Sequence, residues 1–368
     1  MHEHSTSHRP LRLCFIGPMV GKGGGRVTTQ GQIVSQLFQS TGHSVVAVSS
    51  KLKRHQRLLE IVSTLLRHGR SVDIQILETY SGLSFIVADV ASRLGKFFNQ
   101  RIVFWLHGGG LPQFIKKYPR WAQRVFSRAD AIVAPSPFLT RALAEIGFQG
   151  QVIPNVINLN DYDCRHRDTV KPRLFWMRQF HPIYNPMMAL RTVARLREGL
   201  PETTLVMAGQ DKGLEADMRQ AARELGVADA IRFGGFLDRE SKDHEGHNAD
   251  IFINTNRIDN APVAIIEACA MGLPVISTRI GGITDLLEDG ETAILVPDDD
   301  DEAMARAVER LVADSELTAR LSANGRRLAE RFSWEQVRPQ WEELFHRLIA
   351  TRETNRGVVQ SVLTITTR

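Results

Sequence analysis

Cysteine is scarce in this chain. Its 368 residues include three, Cys14, Cys164 and Cys269, odd in number and far apart. Such a set builds neither a disulfide framework nor a cysteine metal cluster, and it suits a reducing compartment. Long apolar runs are missing too, since none approaches the ~18 residues that a membrane-crossing helix requires. The opening stretch MHEHSTSH has no apolar centre and no cleavage pattern, so it does not read as a secretory leader. These absences point to the cytoplasm. Aromatic residues make up 7% and hydrophobic residues 43%, the composition of an ordinary globular protein. The length exceeds what one core readily fills and suits two domains.

Familiar glycine signatures also fail. An apolar run at 11–17 leads into GPMVGKGGG at 17–25, then a helix predicted over 27–40 and a strand over 44–49. This is a βαβ opening with a glycine loop at the strand's carboxyl end, where open α/β sheets bind ligands. Walker A needs four residues between its first glycine and Gly-Lys; here there are three, and Gly23 follows the lysine. Three adjacent glycines break the dinucleotide fingerprint as well. What remains is a loop whose backbone can approach a ligand, or a bare turn. HGGG at 107–110 looks like an esterase oxyanion loop, yet no Gly-x-Ser-x-Gly elbow accompanies it, so that hydrolase class is excluded.

Charge is unevenly placed. Residues 1–168 hold 21 Lys+Arg against 10 Asp+Glu, while the remainder is net acidic. A basic first half suggests an anionic partner: a membrane surface or an acidic glycan. Nucleic acid is the weakest choice, because no binding motif accompanies the charge. Residues 51–70 place Leu58, Leu59, Val62, Leu65 and Leu66 on one helical face among Lys51, Lys53, Arg54, Arg57, Arg67 and Arg70. Such a helix either lies on an anionic membrane or covers a sheet. Lys116, Lys117, Arg120 and Arg124 form a second basic cluster.

Strands are predicted over 73–79, 101–106 and 131–134, and the pattern restarts at 173–177, followed by strands at 205–208, 231–236, 250–254 and 274–277. His107 ends the second of these, beside a glycine loop and facing any cleft; bonding to loop backbone is its plainer role. The carboxyl ends of the later strands carry Arg178, Gly209, Phe236 and the pair Gly281-Gly282. An acidic run, DDDDE at 298–302, precedes a helix, where acids favour the dipole; a metal site is not expected there. Residues 333–350 read as an amphipathic helix, and 351–368 as a polar, then β-prone tail.

The chain is organised around DNAPVAIIEACAMGLP at 259–274. Asn260 or Ala261 is expected to cap a helix with Pro262 in its first turn, Val263, Ile266 and Ala270 forming a buried stripe. Gly272 and Pro274 stop it. Glu267 is the anomaly, a carboxylate about two turns into an apolar helix, where an unpaired charge is costly. Ligand hydroxyls would satisfy it; so would a distant arginine. The helix tip is a ready anion seat.

An acid, seven residues, a glutamate and then Ala-x-Ala-x-Gly-Leu-Pro-Val resembles the signature of retaining glycosyltransferases of family 4 (group 1). The resemblance covers roughly residues 11–350 and implies the GT-B fold: α/β, two Rossmann-like parallel-sheet domains facing a cleft. It divides the chain into an acceptor-side domain (1–165), a nucleotide-sugar-binding domain (166–332), a helix crossing back onto the first domain (333–350) and a tail. It implies transfer of a sugar from a nucleotide-diphosphate sugar to a glycan or lipid-linked acceptor, with no cofactor or metal. By the same resemblance Asp259 and His107 meet the transferring sugar, Glu267 holds the ribose and Arg178 the diphosphate. Gly23, Gly24, Gly209, Phe236, Asn260, Ala261, Val263, Gly281 and Gly282 line the donor. In two places the chain departs from the pattern: Asp259 and Asn260-Ala261 stand where Glu-Phe-Gly is common, and Tyr184 or Asn185 replaces a phosphate-binding lysine. The rivals are a nucleotide-sugar epimerase of the same fold and a two-lobed sugar-binding protein without chemistry.

Overall fold

The computed structural model describes residues 10–19, 21 and 28–366, with side chains to residue 351. Gly23 and Gly24 lie outside the described residues. Short apolar runs such as IQILET and RIVFWL are buried along almost their whole length, which a strand covered on both faces requires. Six of them form the first sheet: β1 (Arg12–Ile16), β2 (Ser44–Val48), β3 (Ile74–Thr79), β4 (Arg101–Leu106), β5 (Ala131–Ala134) and β6 (Gln151–Val152). Six more form the second: β7 (Arg173–Met177), β8 (Thr204–Ala208), β9 (Ile231–Gly235), β10 (Ile251–Asn254), β11 (Val275–Thr278) and β12 (Ile294–Val296). All strand pairs within both sheets are parallel. Their orders are β2-β1-β3-β4-β5-β6 and β12-β11-β10-β7-β8-β9.

Helices cover both faces. The first half carries α1 (Gln30–Ser40), α2 (Arg54–His68), α3 (Phe85–Phe97), α4 (Leu111–Lys117), α5 (Pro119–Phe126) and α6 (Pro137–Ala144). The second carries α7 (Pro186–Gly199), α8 (Glu215–Glu224), α9 (Arg239–Asn248), α10 (Val263–Ala270), α11 (Ile283–Leu286), α12 (Asp301–Ala313) and α13 (Ser315–Glu330). Helix α1 starts at Gln30 rather than 27 because Thr29 caps it, its Oγ1 accepting from Gln32 N at 3.3 Å.

The last helix, α14 (Trp334–Thr366), returns to the first sheet. Val337, Trp341, Leu344, Phe345 and Leu348 join Leu13, Phe15, Phe38 and Trp105 in one core, with Trp341 edge-on to Trp105 at 5.0 Å. The helix also runs on through the stretch read as β-prone, where Val358, Val362 and Ile365 keep helical spacing. Among the described residues no helix is long and apolar enough to cross a membrane.

Helix α10 corrects one expectation. It carries no single buried stripe: residues 264–270 are all buried, and Val263 at the tip is the partly exposed one. A helix apolar all round belongs inside, and this one lies between its sheet and α13. The acidic run is also accounted for. Asp300 caps α12, Asp301 pairs with Arg191 and Arg195, and Asp299 pairs with Arg191 and Arg257.

Candidate functional site

Each sheet reverses its strand order once, between β1 and β3 and between β7 and β10, and ligands of open α/β sheets sit outside such switch points. The residues singled out in the sequence gather there. Arg178 follows β7, and the loop from Thr255 to Pro262 leads from β10 into α10, so the two flank the second switch point. Glycines make this approach feasible. A Cβ on Gly209 would stand 1.8 Å from the Arg178 carbonyl, and its φ of +147° suits no side chain. A Cβ on Gly281 or Gly282 would strike the carbonyls of Asp259 or Asn260 at 2.3 and 2.0 Å. The Gly282 N–H donates to the Asp259 carbonyl at 3.1 Å, so it braces the loop rather than pointing at a ligand.

Arg178 forms a short ion pair with Asp259 and lies 4.3 Å over the Tyr184 ring. Its Nε is buried without a hydrogen-bond partner. Tyr184 thus puts an aromatic face where a second cation was expected, and Asn185 turns away, taking a left-handed backbone and donating to Asp299 at 3.0 Å. Both oxygens of Asp259 are engaged. Oδ1 accepts the Asn260 N–H at 2.8 Å, and Oδ2 accepts from Arg178 and, at 2.6 Å, from Asn256 Nδ2.

The cap of α10 is Pro262, without a side-chain bond, rather than Asn260 or Ala261. Asn260 is drawn elsewhere: its Oδ1 accepts from Ser136 of the first domain, and Asn155 Nδ2 donates to the Ala261 carbonyl at 3.1 Å. These two residues therefore join the domains. In the first turn of α10 the Ile265 N–H bonds the Pro262 carbonyl at 3.1 Å, which leaves the amides of Val263 and Ala264 to give the tip its attraction for an anion.

Glu267 is 7% exposed and has two partners, neither an arginine. Its Oε1 accepts from the Tyr162 hydroxyl at 2.7 Å and from Lys242 Nζ at 2.9 Å. Burial and the neighbouring carboxylate push the Tyr162 phenol above its ordinary value, so it stays a donor. Phe236, just past β9, is about a third exposed at 37%.

On the opposite side, His107 follows β4, and its main-chain N–H donates to the Thr79 carbonyl at 2.9 Å. Burial lowers its pKa to about 3, so the ring is neutral. Tyr80 stacks on it at 5.0 Å, and Nε2 lies 3.5 Å from Oε1 of the buried Glu78. Two glycines further on the domains meet: a Cβ on Gly109 would stand 2.9 Å from the Asp259 Cα. The Gly109→Ala variant is expected to fold with a somewhat lowered melting temperature and to lose roughly ten-fold or more in turnover, because the facing loops must part slightly. Wild-type turnover in that variant would show that this contact does not matter for catalysis.

Sequence reasoning passed over Glu78, Tyr80, Tyr162, Lys242 and Asn256. Only Glu78 left a signal, an acid near the end of an apolar strand; the others come from separate segments.

Known proteins resemble this chain in sequence and in fold. The family described as "Glycosyl transferases group 1" matches residues 166–328, and "Glycosyltransferase Family 4" matches 27–161, so together they take in both halves. A D-inositol 3-phosphate glycosyltransferase of Stackebrandtia nassauensis is 32% identical over 171 residues, 42% of this chain and 37% of that protein. The chain spans 37% to 52% of three such relatives. Among solved structures, sucrose-phosphate synthase from Thermosynechococcus elongatus superposes with a TM-score of 0.79 at 17% identity, covering 93% of this chain and all of that one. Anabaena HepE in complex with UDP and glucose gives 0.73 at 18%, covering 92% and 100%. At these identities the structures show a shared fold. With a family match on each half and GT-B neighbours over nearly the whole length, the chain belongs to the family 4, group 1 glycosyltransferases.

Proposed function

We propose that the protein transfers a sugar from a nucleotide-diphosphate sugar to an acceptor hydroxyl, with retention of anomeric configuration. The observation that carries this is the placement of Arg178 and the α10 tip on either side of the second switch point, Glu267 within α10, and His107 on the facing domain, with Gly109 against Asp259. Glu267 takes the ribose hydroxyls. Arg178 and the α10 amides take the diphosphate, and Phe236 with Gly209 lies against the rest of the nucleotide. HepE's complex with UDP and glucose makes UDP the first nucleotide to test.

As the glycosidic bond breaks, positive charge develops on the sugar and negative charge on the departing phosphate. Arg178 and the helix tip are fixed in advance where the negative charge grows, which is electrostatic catalysis. The neutral His107 ring adds no repulsion to a cationic sugar. Asp259, braced by Arg178 and Asn256, orients the site. Charge on the phosphates is carried by these groups, so activity is expected to survive a chelator. Incubation with UDP-sugars, with and without acceptor, tests the reaction. Product whose anomeric coupling matches the donor supports it, whereas conversion of donor alone, without acceptor, supports an epimerase.

On the acceptor side, α2 buries Ile61 and Leu65 but leaves Leu59 and Leu66 68% and 59% exposed, with Leu52 just before it 54% exposed. Only part of the predicted apolar face covers the sheet, and the rest lies among Lys51, Lys53, Arg54 and Arg67. We read this as a reversible foothold on an anionic membrane, with a lipid-linked or anionic glycan acceptor. Each basic group near such a surface contributes about 1 kcal/mol. The protein is expected to co-sediment with phosphatidylserine vesicles at low salt and to be released at high salt. If it stays in solution at low salt, the foothold is wrong.

A further inference from the structure

Glu78 has no part in the reaction as described, yet the first domain is built around it. It lies at the end of β3 beside the β1/β3 switch point, and its side chain is fully buried. Oε1 accepts the Gly31 N–H from the first turn of α1 at 2.9 Å and the Tyr80 hydroxyl at 3.3 Å. His107 Nε2 stands 3.5 Å from the same oxygen. Neither Glu78 Oε2 nor His107 Nε2 has a hydrogen-bond partner, though both are sealed from solvent. Glycines admit the carboxyl: a Cβ on Gly17 would meet Oε2 at 2.0 Å, and one on Gly31 would meet the carboxyl carbon at 2.4 Å. Tyr80 and Trp105 pack on the imidazole at 5.0 and 4.7 Å and limit its rotation. A buried carboxyl left half-partnered is costly, and packing alone would be better served by an apolar side chain.

We propose that Glu78 is a positioning residue for His107, setting through the Nε2 edge which ring nitrogen carries the proton and so what the imidazole offers to the cleft. The proposal rests on the reading that His107 faces the transferring sugar. An ionised Glu78 can only accept, so Nε2 must carry the ring proton and Nδ1 presents a lone pair. When Glu78 takes up a proton from solvent, its O–H donates to Nε2, the ring proton resides on Nδ1, and Nδ1 becomes a donor. The pair then holds two protons instead of one, and the imidazole is neutral in both forms.

Burial raises the Glu78 pKa to about 7, so this exchange falls at neutral pH, while His107, at about 3, does not itself charge. The groups facing the carboxyl are the Gly31 N–H from α1, Tyr80 from the turn after β3, His107 after β4 and, from α2, Arg57. The Arg57 charge favours ionisation, and its guanidinium is held by the Lys51 carbonyl at 3.0 and 3.1 Å. A lone pair facing a sugar that becomes cationic is the productive form, so turnover should rise with pH through this exchange.

Glu78→Gln cannot ionise, and because the oxygen nearest Nε2 is the one that accepts the Gly31 N–H and the Tyr80 hydroxyl, its amide oxygen stays there and offers Nε2 an acceptor at every pH. We expect wild-type kcat to show an inflection near pH 7. The variant should lack it, stay at every pH near the wild-type alkaline plateau, about ten-fold above the acid limb, and keep the donor KM. Retention of the inflection in the variant would overturn the proposal. Nitrogen-15 NMR of histidine-labelled wild type, with His107 identified by its loss in His107→Asn, requires neither folding of the glutamine variant nor any transfer assay. Nδ1 and Nε2 should exchange protonated and unprotonated character between about pH 6 and pH 8. Constant shifts across that range would also overturn it, whereas absent transfer alongside this exchange would count against the assigned reaction instead.

Discussion

Replacing Glu267 by alanine is expected to lower affinity for the donor nucleotide by about ten- to a hundred-fold, the loss of a charge-assisted hydrogen bond of roughly 1.5–3 kcal/mol. The carboxylate is held in advance. Tyr162 and Lys242 both bond its Oε1, and α10 is buried along almost its whole length, so little ordering remains when the ribose arrives. The variant also leaves Lys242 without its anionic partner, which costs some stability, so affinity has to be measured on protein shown to be folded. Calorimetric titration with UDP provides the number. Unchanged affinity in a folded variant would remove Glu267 from the ribose.

Arg178→Ala should weaken UDP binding by about ten-fold or more and UMP binding much less, because the guanidinium is assigned to the diphosphate. Two features set the size of this effect. Arg178 is already paired with Asp259, so a diphosphate replaces or shares an existing anion, which reduces the net gain. Against that, Tyr184 occupies the place of the expected lysine and supplies a ring instead of a charge, so on this assignment Arg178 would carry more of the phosphate load alone. Equal losses for UDP and UMP would refute the assignment.

Most of the strands were legible in the sequence because they are short apolar runs, a pattern that burial on both faces imposes, while β6 and β12, of two and three residues, are too short to show it. The site's outline was legible for a related reason. Arg178, His107 and Glu267 each break an apolar context at a strand end or inside a helix, where a polar group needs a purpose. What the sequence did not reveal is pairing across distance. Glu267 meets Tyr162 and Lys242, which lie 105 and 25 residues away, and Asn260 meets Ser136 across the domain boundary. No local pattern encodes these contacts. Helix α9 was missed for a physical reason, since RESKDHEGHN buries only Gly246 and has no apolar stripe to read. The departure at Asp259 was visible, but its consequence was not: the shorter side chain bonds its own loop and Arg178.

The central claim is that the second domain binds a nucleoside diphosphate through Arg178 and Glu267. The most direct test is the melting temperature of the full-length chain with UDP, GDP and ADP, each beside its monophosphate. A ligand that binds only the folded state raises stability by about 2.7 kcal/mol at a hundred times its dissociation constant. At least one diphosphate should raise the melting temperature by several degrees, more than its monophosphate does, and that rise should vanish in Glu267→Ala. If none of the three diphosphates shifts the wild-type melting temperature, the assignment of this cleft to a nucleotide-sugar donor is contradicted.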